Sequence, residues 1–472
     1  MKNNESLVNK LYDADAFRVV GEDLINLLSD YLDDSFKNKI PVNHHNAPAE
    51  SLSSWENFMD KPGTLLEYFQ KILDTSIHLH NPHYMGHQVS APAPFAAFGG
   101  LFSDILNNGM AVYEMGEASN PLEKIATDML CNKIGYNNDS AGFMTSGGTL
   151  ANLTALLTAR SVVVKEDVWE NGMQGKLGIM VSEKAHYCID RAARIMGLGA
   201  DGLIQLPVNE QFQVDIDQLE TKLLIAREKG IQVYAIVASS CSTSTGSYDN
   251  LRAISKFAKK HKLWLHVDGA HGGAAIMSKK YRYLVDGIDE ADSVIIDCHK
   301  MMMTPTICTA VLYKNNHYSG RTFRQKAEYL FDESEHFDWF NSGKRTFECT
   351  KLMMSIKFMA IVRYVGVEVF EELVDRLYDH AREFAQLIQD DEDFELLIKP
   401  EANILCFRYK GQQTNEVNSK IRQKLLEDGK FYIVQTKIDD QIYLRTSIMN
   451  PMTRISHFQA LLQEIKSIAE SF

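Results

Sequence analysis

The 472-residue sequence predicts an α/β fold: a mainly parallel sheet with helices on both faces, followed by a small C-terminal α+β domain. Three observations predict it. Short apolar runs that read as buried strands alternate with amphipathic helical stretches, which is the pattern of a parallel sheet. Two of these runs, Leu263 to Val267 and Ser293 to Ile296, lead into charged residues, Asp268 and the stretch Asp297 to Lys300. Open α/β sheets keep their ligands at that carboxyl edge. Finally, a chain that is 45% hydrophobic and 24% charged can bury a large core and still form a second, smaller domain.

Composition also narrows the function. A net charge of −13 argues against nucleic acid or an anionic membrane as partner. Seven scattered cysteines without CxxC or Cys/His spacing read as free thiols, and no metal site is indicated. The opening MKNNESLVNKLYDADAF lacks the apolar run of a signal peptide. The longest membrane candidate, Ala91 to Phe102, is short and broken by prolines and glycines. The expectation is a cytoplasmic protein with no membrane contact.

In chain order, residues 1–80 read as a helical arm. Phe17, Val20, Leu24, Leu27, Leu28 and Tyr31 recur at helical spacing and form one apolar stripe. Residues 81–365 form the large domain. It opens on the aromatic, turn-rich loop Asn81 to Gln88, and a helix is expected from Pro121 to Lys133 with Asn120 as its cap. Phe143 to Thr145 is a short strand that gives way to Ser146-Gly147-Gly148-Thr149 and then an amphipathic helix. Small residues let the backbone approach an anion, and a helix start offers free N–H groups and a favourable dipole, so these four residues predict a phosphate cradle. Further strands are expected at Gly178 to Glu183, Leu203 to Leu206, Val233 to Ala238 and Cys308 to Tyr313. Asp217 and Glu220 have capping-box spacing, Gly230 closes that helix, and Asp249 reads as a cap for the next one. Residues 366–472 form the small domain, with a long helix, strands at Ala402 to Tyr409, Tyr432 to Thr436 and Gln441 to Thr446, and a terminal helix from Arg454 to Ser471.

Neighbouring parallel strands deliver Asp268 and Lys300 to one rim of the sheet. An acid and an amine held there suit pyridoxal phosphate, since the carboxylate can keep the pyridine nitrogen protonated while the lysine carries the aldehyde as a Schiff base. HVDGAHGG followed by DCHK resembles the signature of the group II pyridoxal-phosphate decarboxylases, which include glutamate, diaminobutyrate, aromatic-amino-acid and some lysine and ornithine decarboxylases. The likeness extends through the glycine turn at residues 146–149, Ala185-His186-Tyr187, and the run from Tyr443 to Pro451.

The resemblance implies the aspartate-aminotransferase (type I) fold with a seven-stranded sheet, and a homodimer whose active sites lie at the interface, the arm of residues 1–80 being a dimer contact. It implies that His186 stacks over the cofactor ring and Ala270 packs on the other side, with Thr243 and His299 as further cofactor contacts. His83, Tyr84, His87 and Arg445 are implied to meet the substrate, a small L-amino acid. The resemblance departs at Phe337, which falls where the family carries the loop tyrosine that protonates the product. His336 or Tyr329 would have to substitute, or the outcome shifts to oxidative aldehyde formation. Glu114 and Glu117 tilt the substrate toward lysine, ornithine or 2,4-diaminobutyrate. Arg445 keeps glutamate or aspartate as the alternative.

Overall fold

The apolar runs fold as strands β1 (Ala141–Thr145), β2 (Lys176–Ser182), β3 (Leu203–Leu206), β4 (Ile231–Ser239), β5 (Trp264–Asp268), β6 (Ser293–Asp297) and β7 (Thr309–Tyr313). This computed structural model describes residues 6–323 and 338–471. The seven strands form one sheet in the order β1-β7-β6-β5-β4-β2-β3. Pairing is parallel from β3 through β2, β4 and β5 to β6, and β7 runs antiparallel to both β6 and β1. Every residue of β1, β5, β6 and β7 is buried. Strands covered on both faces carry apolar residues continuously instead of alternating them, which is why they were legible. The helix Gly148–Val163 lies on β4 to β7, and the helix Leu251–His261 lies on β4 and β5. Crossover helices of this kind are what parallel neighbours require.

A second sheet contains β8 (Phe394–Leu396), β9 (Ile404–Tyr409), β10 (Val434–Ile438) and β11 (Gln441–Ser447), in the order β10-β11-β9-β8. β8, only three residues long, offered no periodic signal. The final helix is Ile455–Ala469.

The chain separates into two compact units, one of Gln88–Gln386 with Leu396–Cys406, the other of Met1–His87 with Leu387–Glu395 and Phe407–Phe472. This division differs from three consecutive segments, because residues 6–87 join the C-terminal residues in one unit. The apolar stripe of the arm lies on the helix Ala14–Phe36, where Val20, Leu24, Leu27 and Tyr31 are half-buried and Phe17 and Leu28 are exposed. Among the described residues no helix is long and apolar enough to cross a membrane.

Three expected caps fall elsewhere. The helix expected from Pro121 is Ser119–Ile134, so Asn120 lies inside it; proline is tolerated in a first turn because its missing N–H would have no partner there. Asp215, not Asp217, caps the turn before the helix Leu219–Glu228, and Glu220 instead binds Lys260 and His261. Asn250 caps the helix Leu251–His261. Asp249 is buried and accepts from the backbone N–H groups of Val214 and Ser239 at 2.8 and 2.7 Å. A short acidic side chain serves equally as a cap or as a brace between loops, and sequence spacing does not separate the two.

Candidate active site

Asp268 closes β5 and Lys300 stands three residues beyond the end of β6, so parallel pairing brings both to one edge of the sheet. They line a cavity of about 160 Å³ together with Gly148, Asn152, His186, Cys188, Thr243, Ala270, Asp297 and His299. Five expected cofactor contacts besides the Asp–Lys pair thus line one cavity, Gly148, His186, Thr243, Ala270 and His299, and Gly147 directly precedes Gly148 as the cap of its helix.

Gly147 caps that helix with φ +94°, a backbone conformation costly for any residue with a Cβ. A Cβ on Gly148 would meet the two carboxylate oxygens of Asp297 at 3.2 and 3.3 Å. The bare backbone is what leaves room for an anion at the first N–H groups of the helix. Ser146 donates to Glu348 Oε1 at 2.8 Å, and Thr149 is exposed on the first turn. Neither lines the cavity.

Lys300 Nζ lies 2.8 Å from Asp297 Oδ2. Burial works against a charge on this amine, but Asp297 and Asp268 outweigh it and hold its pKa above the usual range. Asp297 Oδ1 accepts from Thr309 Oγ1 at 2.6 Å, across the antiparallel pair of β6 and β7. Among the described residues no such cation lies at contact distance from Asp268. Its Oδ1 accepts from the Ala270 N–H at 3.2 Å and its Oδ2 from Asn152 Nδ2 at 3.2 Å. Burial raises its pKa, with Lys300 and Ala270 opposing. His186 accepts from the Cys188 N–H through Nδ1 at 3.3 Å, which leaves the ring proton on Nε2 when the ring is neutral. Burial lowers its pKa and favours that neutral form.

Acid, amine, flat imidazole and an open helix start are the donor set that pyridoxal phosphate requires, and they fit it. Asn152, Cys188 and Asp297 were not singled out from the sequence. Asn152 lies one turn after Gly148, on the same helix face, so the i, i+4 spacing carried the signal. Asp297 sits within the DCHK motif itself.

The residues expected to meet substrate lie in the other compact unit, apart from the exposed carboxylates Glu114 and Glu117. Tyr84 stacks on Tyr432 with ring centroids 5.2 Å apart, and its hydroxyl accepts from the His87 N–H at 3.2 Å. Arg445 is buried on β11 and donates to Ser447 Oγ at 3.3 Å. Burial, then Arg445 and Arg422, push His87 down. His83 stacks on Phe431 at 4.0 Å and donates to the Lys430 carbonyl at 2.9 Å. Burial takes its pKa down to about 4, which favours the neutral ring. Tyr329, His336 and Phe337 lie outside the described residues.

A sequence model described as the pyridoxal-dependent decarboxylase conserved domain matches residues 20–410. The chain is similar to an aspartate 1-decarboxylase of Aliivibrio fischeri, at 31% identity over 87% of this chain and 84% of that protein. It is similar to an aromatic-L-amino-acid decarboxylase of Bacillus atrophaeus, at 25% over 97% and 96%. An L-2,4-diaminobutyrate decarboxylase of Acinetobacter baumannii matches at 27% over 86% and 84%. Among solved structures, the glutamate decarboxylase domain of diaminobutyrate-pyruvate transaminase and L-2,4-diaminobutyrate decarboxylase from Vibrio parahaemolyticus superposes with a TM-score of 0.83. Identity there is 24%, over 95% of this chain and 96% of that one, a likeness of fold.

Proposed function

The chain belongs to the pyridoxal-dependent decarboxylase family, and from that premise we propose that Lys300, Asp268 and His186 carry its chemistry on an acidic L-amino acid, aspartate or glutamate. The reaction class is the removal of carbon dioxide from an amino acid with pyridoxal phosphate as cofactor. The observation that carries the residue assignment is the meeting of Lys300, Asp268, His186 and Gly148 in one cavity.

When bound, the cofactor supplies an aldehyde that condenses with amines and a protonated ring that accepts the electron pair left as carbon dioxide departs. Lys300 Nζ is the amine placed to hold that aldehyde once it leaves Asp297. Asp268 would hold a proton at the ring nitrogen, its charge being favoured by that cation. His186, whose neutral form burial favours, and Ala270 line the same cavity and would pack against the ring. The N–H groups that open the helix at Gly148 would hold the phosphate, and Thr243, which lines the same cavity, would be a further contact. Ser146, Gly147 and Thr149 shape that turn, and His299 braces the lysine loop, its Nδ1 lying 3.0 Å from the Cys308 carbonyl and 3.3 Å from the Cys308 N–H.

Two things support an acidic substrate. Arg445, which we propose as a substrate contact, is a buried cation whose charge bears on His87 and Tyr84 within its own unit, and such a contact would attract an anionic side chain and repel a cationic one. The relative at 31% identity acts on aspartate. A second reading is a basic substrate such as lysine, ornithine or 2,4-diaminobutyrate. It is favoured by the exposed carboxylates Glu114 and Glu117 and by the diaminobutyrate decarboxylase match. Oxidative aldehyde formation rests on Phe337 alone.

The homodimer is part of the same proposal. It is supported by Phe95, Phe98, Leu101, Phe102, Ile105 and Leu106, which stay exposed on the helix Pro94–Leu106. Sedimentation at working concentration tests it, and a monomer would remove it.

The experiment that tests the function is carbon dioxide release from each L-amino acid by the loaded enzyme, with oxygen followed in the same vessel. Release from aspartate or glutamate without oxygen uptake is expected. Release only from basic amino acids favours the second reading, and oxygen uptake equal to carbon dioxide release would replace the decarboxylase outcome by aldehyde synthesis.

A further inference from the structure

Strand β5 turns Trp264, His266 and Asp268 to one face, because side chains alternate along a strand. All three are buried under the helix that carries Asn152, and β6 places Ser293 opposite His266 in the register. The polar atoms of these five residues form one unbroken line. Trp264 Nε1 lies 2.8 Å from Ser293 Oγ, and Ser293 Oγ lies 2.8 Å from His266 Nδ1. His266 Nε2 lies 2.7 Å from Asn152 Oδ1, and Asn152 Nδ2 lies 3.2 Å from Asp268 Oδ2.

The two ends of the line fix its direction. An indole N–H can only donate, and an ionised carboxylate can only accept. Asn152 therefore shows its amide N–H to Asp268 and its carbonyl to His266. That carbonyl requires the proton of a neutral His266 on Nε2, which leaves Nδ1 to accept from the Ser293 hydroxyl. Burial presses His266 to stay neutral, with its pKa lowered to about 3. Every donor then has its acceptor, and the amide of Asn152 cannot turn over without setting two oxygens against each other.

We propose that Trp264, Ser293 and His266 are positioning residues that act through Asn152 to hold Asp268 ionised and aimed at the cofactor's ring nitrogen. The inference rests on the reading of Asp268 as the partner of that nitrogen. None of the three touches the cavity, so their part in the reaction is to fix the carboxylate.

Two measurements test it. In the cofactor-free protein with labelled histidine, long-range ¹H–¹⁵N spectra should find His266 protonated on Nε2 and bare on Nδ1. The opposite tautomer would overturn the relay, whether or not any variant folds. In the loaded enzyme, Ser293→Ala should weaken cofactor binding roughly tenfold. It should also move the pH midpoint of the cofactor's visible absorbance upward, since a less firmly protonated ring no longer repels a second proton nearby. Trp264→Phe should move both the same way by less. The charged or titratable groups facing Asp268 are Lys300, Asp297 and His186, with Cys188 sharing Asn152, and all are kept in these variants. Weaker binding with an unmoved midpoint would reduce the line to a packing feature and overturn the proposal. Asp268→Asn separates the two ideas: if it leaves the absorbance and its midpoint unchanged, the reading of Asp268 itself fails, whereas a change there without one in Ser293→Ala sinks only the relay.

Discussion

Asp268 and Asp297 close adjacent parallel strands, and both are almost fully buried, at 8% and 3% exposure. Their surroundings push them in opposite directions. Asp297 faces the amine of Lys300 at 2.8 Å and the hydroxyl of Thr309 at 2.6 Å. Burial would raise its pKa, but these partners and His299 win, and the carboxylate is held below its usual range. Among the described residues Asp268 receives only neutral N–H donors at contact distance, and there burial wins and raises it. One carboxylate is already paired with a cation, and the other is the one we propose pairs with an incoming cation. Identical residues at one sheet edge are thus divided by their partners, one bracing the lysine and the other left for the role we propose at a ring nitrogen.

The largest break in this comparison is Asp268→Asn. Removing one member of a buried charge pair costs about 3–5 kcal/mol, so kcat/KM should fall by roughly a hundredfold to a thousandfold or more while the protein stays folded. A fall no greater than that of Asp297→Asn would erase the distinction between the two carboxylates.

The pair Glu123–Lys351 sharpens the contrast, because it resembles Asp297–Lys300 in contact but takes no part in the site. Lys351 Nζ lies 2.6 Å from both Glu123 Oε1 and the Met144 carbonyl, and neither side chain is more than 3% exposed. Lys351→Met should lower unfolding stability by about 3–5 kcal/mol in denaturant titration.

His266 gives a pH signature. Its pKa is lowered in the fold from 6.5 to about 3, so the unfolded chain binds the extra proton. Its stabilising contribution is full above 6.5 and is lost as pH falls toward 3, by roughly 1.4 kcal/mol per unit. Thermal unfolding across that window should show the slope in the native chain and a shallower one in His266→Gln.

The smallest effect is expected from Asp297→Asn. Losing the ion pair lets the Lys300 amine shed its proton at lower pH, and capture of cofactor by the free chain near pH 7 should speed up by about threefold to tenfold. Stopped-flow absorbance reads this directly, and slower capture would assign Asp297 a different part.

Much of this was legible in the sequence because the central strands are buried on both faces and end on the residues that matter. Leu203 to Leu206 was read to the residue, and the other expected strands to within two residues. The lysine, the acid, the histidine and the glycine turn stood in motifs whose order the sheet then brought together. What escaped was set by tertiary partners. Asn152 looks like any polar residue on a helix until Asp268 is opposite it. His266 and Ser293 look like polar residues in apolar strands until the register pairs them. Asp249 looked like a cap because it precedes a helix, yet the backbone of Val214, distant in sequence, claims it.

The most direct test of the account is borohydride reduction of the loaded enzyme followed by peptide mapping. The reduced cofactor should be found on the peptide containing Lys300 and on no other lysine. A label on a different lysine, such as Lys184 or Lys351, or no fixed label at all, would contradict the assignment of the cavity between Asp268 and Lys300 as the active site.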